Sequence, residues 1–456
     1  MPPSRPLALL RALPFDAARS LMKQTLWQRR SASSAGASTS ELDGHYDVII
    51  IGAGIHGSCT AAELASRGQR VLLLEQYDLL HRRGSSHGES RIARRTYAQR
   101  HYTQMMATSY ALWERSFAAA GCSSFTRTGG IDFGASRNRA LAALRASAAV
   151  CGVAVEELTP EQVAARFPGL ALPPGSEALW HAEAGVLNAT KSVALFHQLA
   201  RQRGARLVDR TRVLQLRPTT EGVTVETSRG MVTARRAVLA VGAWAKPMLH
   251  SMGVGVDGLR AVPVAVSYWR CKDAASASQL AAARFPVAIC YTGAGLVGGE
   301  AADAEFYVTP VLELPGLVKI SLHLPEHLWG PPVEDLEART MDAPVDVVRR
   351  IVTPFVLASF PGVDASAPAS VDPCLYTMTP DHEFIIDAVP GSNGHVLLAS
   401  ACSGHGFKFG PLIGDICADL VTKGDTDLVE GGIGRFKLDR QGLQTTRVAP
   451  EQRSRL

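Results

Sequence analysis

The stretch YDVIIIGAGIHGSCTAAELASRGQRVLLLE, residues 46–75, decides the reading of this chain. YDVIII ends in an unbroken apolar run, the pattern of a parallel strand buried on both faces. GAGIHG follows, then an alanine-rich segment that predicts a helix closed by Gly68. RVLLLE predicts a second strand ending at Glu75. Gly52 permits the tight turn after the first strand. Gly54 lets backbone approach a pyrophosphate at the helix N-terminus, and Gly57 allows close helix–strand packing. Glu75 lies 18 residues beyond Gly57, where a carboxylate can accept from ribose hydroxyls. Strand, glycines, helix, strand and terminal acid stand in order, which points to an adenine dinucleotide.

A second GxGxxG, at Gly293, Gly295 and Gly298, is a decoy. The acid-rich EAADAE and a strand-like pattern follow it, with no amphipathic helix to present an N-terminus. A hairpin loop is expected there. Two further strand–glycine–helix crossings do occur: RRAVLAVGAWAKP (235–247), and strand 395–401 with a glycine-rich loop and a helix at 411–422. Three such crossings spread along the chain predict one dinucleotide domain assembled from discontinuous segments. VPVAVSYWR and LVKISLHL carry strand patterns between them. The expected fold is α/β: a Rossmann-like domain from residues 44–130, 185–262 and 371–435, and a second α+β domain from 131–184 and 263–370. The second domain is expected to form a large mixed sheet covering the substrate site.

Composition narrows the function. The 456 residues are 46% hydrophobic, enough for a large core. The net charge of +5 sits at the ends, because segments 1–43 and 431–456 are both basic. The nearly neutral body argues against nucleic-acid binding. No apolar run reaches the length of a membrane span. The eight cysteines form no C-x-x-C pair and no zinc-spaced cluster, so neither a disulfide scaffold nor a metal site is expected.

The ends carry two addresses. Residues 1–43 form a targeting-like or disordered extension. Arg5, Arg11, Arg19, Lys23, Arg29 and Arg30 stand there against few acids, as in a mitochondrial or chloroplast transit peptide. Residues 436–456 form a tail ending in Ser454-Arg455-Leu456, a variant of the S-K-L peroxisomal address read by an import receptor.

Four motifs carry a family resemblance: IIGAGIHG, SSHGESRIARRTY (85–97), PCLYTMTPDHEFIID (373–387) and SGHGFKFG (403–410). Over roughly residues 45–440 the chain resembles the monomeric sarcosine oxidase and L-pipecolate oxidase family. These are FAD-dependent amine oxidases of the D-amino-acid-oxidase-like superfamily. The resemblance implies a monomer with FAD attached covalently through Cys374. PCLYTMTPDHEFIID reads as two strand-like pieces around a turn at Thr379-Pro380-Asp381.

The resemblance also implies roles for single residues. Arg91 would lie near the flavin, and Arg94 and Lys408 would hold the substrate carboxylate, which suits a planar guanidinium. If RIARR is helical, Arg91 and Arg94 share a face. Ser85, His87, Val213, Gly242, Trp244, Gly404, His405, Gly406 and Phe407 would complete the cofactor site. Tyr307 and His323 would line the substrate pocket. Lys319 would stand over the flavin where oxygen reacts. Ser90 stands where the family has threonine, and Ser86 where bacterial members have histidine. The implied activity is oxidation of sarcosine, another N-methyl amino acid or L-pipecolate to an imine, with oxygen reduced to hydrogen peroxide. Peroxide favours the peroxisomal address. Two alternatives stand beside this reading, a dehydrogenase that passes electrons to another acceptor and a non-catalytic flavoprotein.

Overall fold

The computed structural model describes residue 42 and residues 44–291, 298–299, 302–400 and 402–453. The opening stretch folds as its pattern predicts, with strand Tyr46–Ile51, helix Ile55–Ser66 and strand Val71–Leu74. Tyr46–Ile51 is the centre of an eight-stranded sheet. It pairs in parallel with Val71–Leu74 on one side and Gly230–Leu239 on the other, and Val396–Ser400 continues the parallel run. In register, Ile51 meets both Leu74 and Leu239, and Leu239 meets Leu398. The three strand–glycine turns therefore emerge at one level of one sheet edge. That crevice at the carboxyl ends of the strands is where such folds bind ligands.

Close approach at this edge requires glycine. Gly52 has φ +101°, and a Cβ there would lie 2.5 Å from the Ala240 carbonyl oxygen. A Cβ on Gly57 would lie 1.9 Å from the Gly52 oxygen. Gly57 therefore serves packing, as its motif position predicts.

A second eight-stranded sheet is mixed and includes Gly130–Ala135, Arg260–Arg270, Val287–Tyr291, Glu305–Thr309, Leu317–Leu324 and Ser370–Met378. Val287–Tyr291 and Glu305–Thr309, on either side of the second GxGxxG, pair antiparallel, as hairpin strands do and βα units do not. Gly293 and Gly295 themselves lie outside the described residues. Each sheet has its own core: Ile50, Leu64, Trp113, Phe196 and Phe384 in one, Phe133, Trp269, Phe306 and Phe355 in the other. Both belong to the single unit formed from His45 onward.

One expectation meets a different structure. RIARR is not helical: Ser90–Ala93 is a strand, paired antiparallel with Gly185–Asn188. Tertiary pairing of a short, weakly biased segment overrides its local preference. The two strand-like pieces of PCLYTMTPDHEFIID form as expected, in different sheets. Ser370–Met378 pairs with Arg260–Arg270 in the second sheet, and Ile385–Ala388 pairs with Val396–Ser400 in the first. Cys374 thus reaches the crevice from the second sheet.

Among the described residues no helix is long and apolar enough to cross a membrane. Helix Gly410–Thr422 packs on helix Ile55–Ser66 through glycine, since a Cβ on Gly414 would lie 2.8 Å from the Cys59 carbonyl carbon and 3.0 Å from Thr60 N. Gly→Ala in a helix ordinarily gains about 1 kcal/mol, but overpacking costs about 1–3 kcal/mol. Gly414→Ala is expected to lower the denaturant midpoint. A higher midpoint would mean the helices separate freely.

Candidate functional site

The two sheets enclose a cavity of about 850 Å³. At one end lies the glycine turn. The Glu75 carboxylate accepts from Ala53 N at 2.9 Å and Tyr77 N at 3.0 Å, leaving lone pairs for further donors. Burial opposes its ionisation, but His81 and these backbone donors outweigh it and hold the carboxyl below its usual range. Val213, Gly242 and Trp244 line this end, and Ser86 accepts from Ile55 N at 3.1 Å. A Cβ on Gly54 would meet Ser86 Oγ at 3.0 Å.

In the middle, the extended backbone separates the two arginines. Arg91 donates to the Ser85, His87 and Ser90 carbonyls at 3.0, 2.6 and 2.8 Å, and its guanidinium lies 5.5 Å from the Phe407 ring centre. The Ser90 carbonyl also accepts from Lys319 Nζ at 3.0 Å. Burial, with Arg91 close by, pushes Lys319 down to about 7. Lys319 Nζ lies 5.2 Å from the Tyr307 ring centre. Cys374 is buried and lines the cavity here, and Ser85 Oγ donates to the neighbouring Leu375 carbonyl at 2.7 Å.

At the far end two cations converge on Tyr97. Lys408 Nζ donates to Tyr97 Oη at 2.9 Å, while the Arg94 guanidinium lies 4.7 Å from the Tyr97 ring centre. The Lys408 carbonyl accepts from Ser109 Oγ and Trp113 Nε1 at 2.7 and 2.8 Å, which fixes its backbone. Arg94 donates to the Thr96 carbonyl and stands 3.5 Å from Asp132, yet its buried Nε has no partner. Burial opposes the Arg94 charge, but Tyr291, Asp132 and Tyr97 outweigh it. Burial and then Arg94 push Lys408 well below the usual lysine range. Asp132 is held by Thr96 Oγ1 at 2.7 Å and His181 Nε2 at 3.0 Å.

Three histidines here are driven toward the neutral form. His323, whose Nδ1 lies 3.1 Å from Tyr376 Oη, is pushed to about 3 by burial, Lys408 and Arg94. His87 is also pushed to about 3, by burial and Arg91, and neither ring nitrogen has a partner. Burial and Lys408 push His405 well below its usual value. Gly404, Gly406 and Phe407 line the cavity ahead of helix Gly410–Thr422. Gly404 has φ +80°, and a Cβ there would strike Tyr376 at 2.7 Å.

The structure therefore gathers every expected site residue around one cavity except Gly57, which packs beneath it. Sequence reasoning missed Tyr97, Asp132, Tyr291, Glu305 and Tyr376. Tyr376 was legible, because it follows Cys374 by two positions in a strand and so shares its face. Asp132 and Glu305 are lone acids on separate strands and gave no signal.

The profile of FAD dependent oxidoreductases (DAO) matches residues 47–420. The chain belongs to that family. It is 33% identical over 416 residues to a probable sarcosine oxidase of Arabidopsis thaliana, covering 88% of this chain and 93% of that one. It is 34% identical over 393 residues to the peroxisomal sarcosine oxidase of Homo sapiens, covering 86% and 96%. Among solved structures, NikD, described as an unusual amino acid oxidase, superposes with a TM-score of 0.74 at 24% identity, covering 87% of this chain and 98% of that one. The residues present fit FAD: a glycine turn that Cβ atoms would fill, a ribose-side carboxylate, and unpartnered buried nitrogens on His87 and His405.

Asp132 is the buried counter-ion of Arg94. Removing one partner of a buried pair strands the other charge, at about 3–5 kcal/mol. Asp132→Asn is expected to lose stability in that range in urea unfolding. The Asp132 carboxyl is buried, but Arg94 and His181 hold it below its usual value. Its contribution is therefore present above the unfolded carboxyl pKa and lost as pH falls through the folded one. A variant as stable as the parent at neutral pH would remove Asp132 from this role.

Proposed function

We propose that this enzyme oxidises secondary amino acids, such as sarcosine, other N-methyl amino acids or L-pipecolate, with oxygen as electron acceptor. The observation that carries this reading is the convergence of Arg94 and Lys408 on Tyr97. Two desolvated cations at one end of the cavity form a site for a carboxylate. The relatives named above are sarcosine oxidases, which supports a secondary amine as the reacting group.

In this reading FAD, when bound, takes up the two electrons that leave the substrate's C–N unit. The protein supplies position and charge. Arg94 donates in parallel to both carboxylate oxygens, and Lys408 donates to one. Tyr307, Tyr376 and the neutral His323 wall the reacting carbon and exclude water. The resulting imine hydrolyses after release, and oxygen leaves as hydrogen peroxide. Arg91, Gly404, Gly406, Phe407 and the N-terminus of helix Gly410–Thr422 favour negative charge on the cofactor ring. Cys374 is the attachment point for a covalent link. Glu75, Val213, Gly242 and Trp244 hold the adenosine half.

Residues 44–130, 185–262 and 371–435 serve the cofactor in this scheme, and 131–184 and 263–370 serve the substrate, with strand Ser370–Met378 shared between them. The enzyme works as a monomer in the peroxisome, addressed through Ser454-Arg455-Leu456, which lies outside the described residues. The transit-like segment 1–43 is the competing address.

The direct test is to express residues 44–456, precipitate with acid, and follow the yellow colour. Wild type should keep it on the polypeptide, and Cys374→Ala should release it. Colour that washes out of wild type would end the covalent assignment. A peroxide-coupled screen of secondary amino acids then tests turnover, and cofactor reduction without peroxide would favour a dehydrogenase.

Lys319 supplies a second readout. It is cationic below about 7 and neutral above. A cation stabilises the negative charge that develops as oxygen is reduced. Reoxidation by oxygen should slow as pH rises through about 7, and Lys319→Met should be slow at every pH. A wild-type rate independent of pH from 6 to 9 would remove Lys319 from this step.

A further inference from the structure

Glu305 has no part in the scheme above, yet it lines the same cavity. It opens strand Glu305–Thr309, whose Phe306 and Val308 are fully buried in the second core. Tyr307, two residues on, lines the cavity as Glu305 does. Across the sheet, Glu305 stands opposite Tyr291, and Thr309 stands opposite Lys319. The Tyr291 ring centre lies 6.0 Å from the Arg94 guanidinium. The cavity face of this strand therefore runs from the Lys319 end, past Tyr307, to an acid beside the carboxylate clamp.

Two acids thus lie near Arg94, and their surroundings differ. Asp132 takes hydrogen bonds from Thr96 and His181. Among the described residues none gives the Glu305 carboxyl a hydrogen bond. Burial, with Asp132 nearby, lifts its pKa against the pull of Arg94. A carboxyl enclosed by protein but turned to a cavity is costly unless a donor reaches it. Water can satisfy it while the cavity is empty, and a ligand that displaces that water must bring a donor of its own.

We propose that Glu305 is a specificity residue that accepts a hydrogen bond from an ammonium, hydroxyl or amide N–H on the substrate, beyond its α-carboxylate. The substrate class is then a secondary amino acid with a polar, donor-bearing side chain or N-substituent. This inference rests on the reading of the cavity as a secondary amino acid site. With the carboxylate on Arg94 and Lys408, the rest of the molecule lies along the wall of Tyr291, Glu305 and Tyr307. An apolar substituent there would leave the acid unsatisfied. Sites built to hydrogen-bond a substrate group reject analogues that lack it far more strongly than apolar pockets reject a size change.

The test uses the full-length holoenzyme and two nearly isosteric pairs. One is N-methyl-L-serine against N-methyl-L-α-aminobutyrate, and the other is Nα-methyl-L-lysine against N-methyl-L-2-aminoheptanoate. In wild type, kcat/KM should favour the donor-bearing member of at least one pair by roughly tenfold or more. Glu305→Leu should abolish or reverse that preference, with an unchanged bound-flavin absorbance spectrum showing that the fold and cofactor site survive. Should Glu305→Leu fail to bind cofactor, Glu305→Gln decides: the preference for the lysine derivative must fall, because the charge is lost while the shape is kept. Equal preference in wild type and variants, or a uniform loss on both members of each pair, would make Glu305 a mere counter-ion of Arg94 and overturn the proposal. Failure of the parent reading looks different: no secondary amino acid, sarcosine and L-pipecolate included, would reduce the cofactor under anaerobic conditions.

Discussion

Three cationic side chains, Arg94, Lys319 and Lys408, are buried in one cavity, and much of the surrounding structure exists to hold that charge. An unpaired buried cation costs several kcal/mol. Each of these therefore has a specific compensation. Arg94 has Asp132 and the Thr96 carbonyl, Lys408 has the Tyr97 hydroxyl, and Lys319 has the Ser90 carbonyl. None is fully neutralised. Lys319 and Lys408 sit below their usual pKa range, and Arg94 keeps an unpartnered Nε. The cavity keeps a surplus of positive potential, which suits an anionic ligand at one end and developing negative charge in the middle.

That surplus explains the histidines. His87, His323 and His405 are all driven toward the neutral form, because burial and nearby cations work together. They fill space without adding charge, and His323 and His405 each make a single hydrogen bond. It also explains why aromatic side chains gather here. Tyr97, Tyr291 and Tyr307 present ring faces to cations and exclude water.

The two sheets share this task unequally. The first brings strand ends and glycine turns to a common level, so backbone N–H groups face the ligand. The second brings side chains on a rigid surface: Lys319, Tyr307 and Glu305 on adjacent strands, and Cys374 on the strand at its edge. The Ser90 carbonyl, accepting from both Arg91 and Lys319, ties a small three-stranded sheet to the second. Chemistry placed on strands rather than loops is held with less play.

What the sequence determined by itself was local. The run of residues 46–75 specified strand, turn, helix and strand, because apolar period, glycine position and terminal acid are all read within one βαβ unit. The unusual motifs around Cys374 and Lys408 pointed to a family for the same reason, since each is a short contiguous string. The structure alone decided what depends on contact between distant strands. RIARR became a strand because Gly185–Asn188 was there to pair with it, and the two halves of PCLYTMTPDHEFIID went to different sheets. Asp132 and Glu305, lone acids with nothing distinctive beside them, acquire meaning only when sheet register sets them near Arg94. A hydrogen bond or ion pair between strands is a property of that register, and register is set by the packing of the whole core.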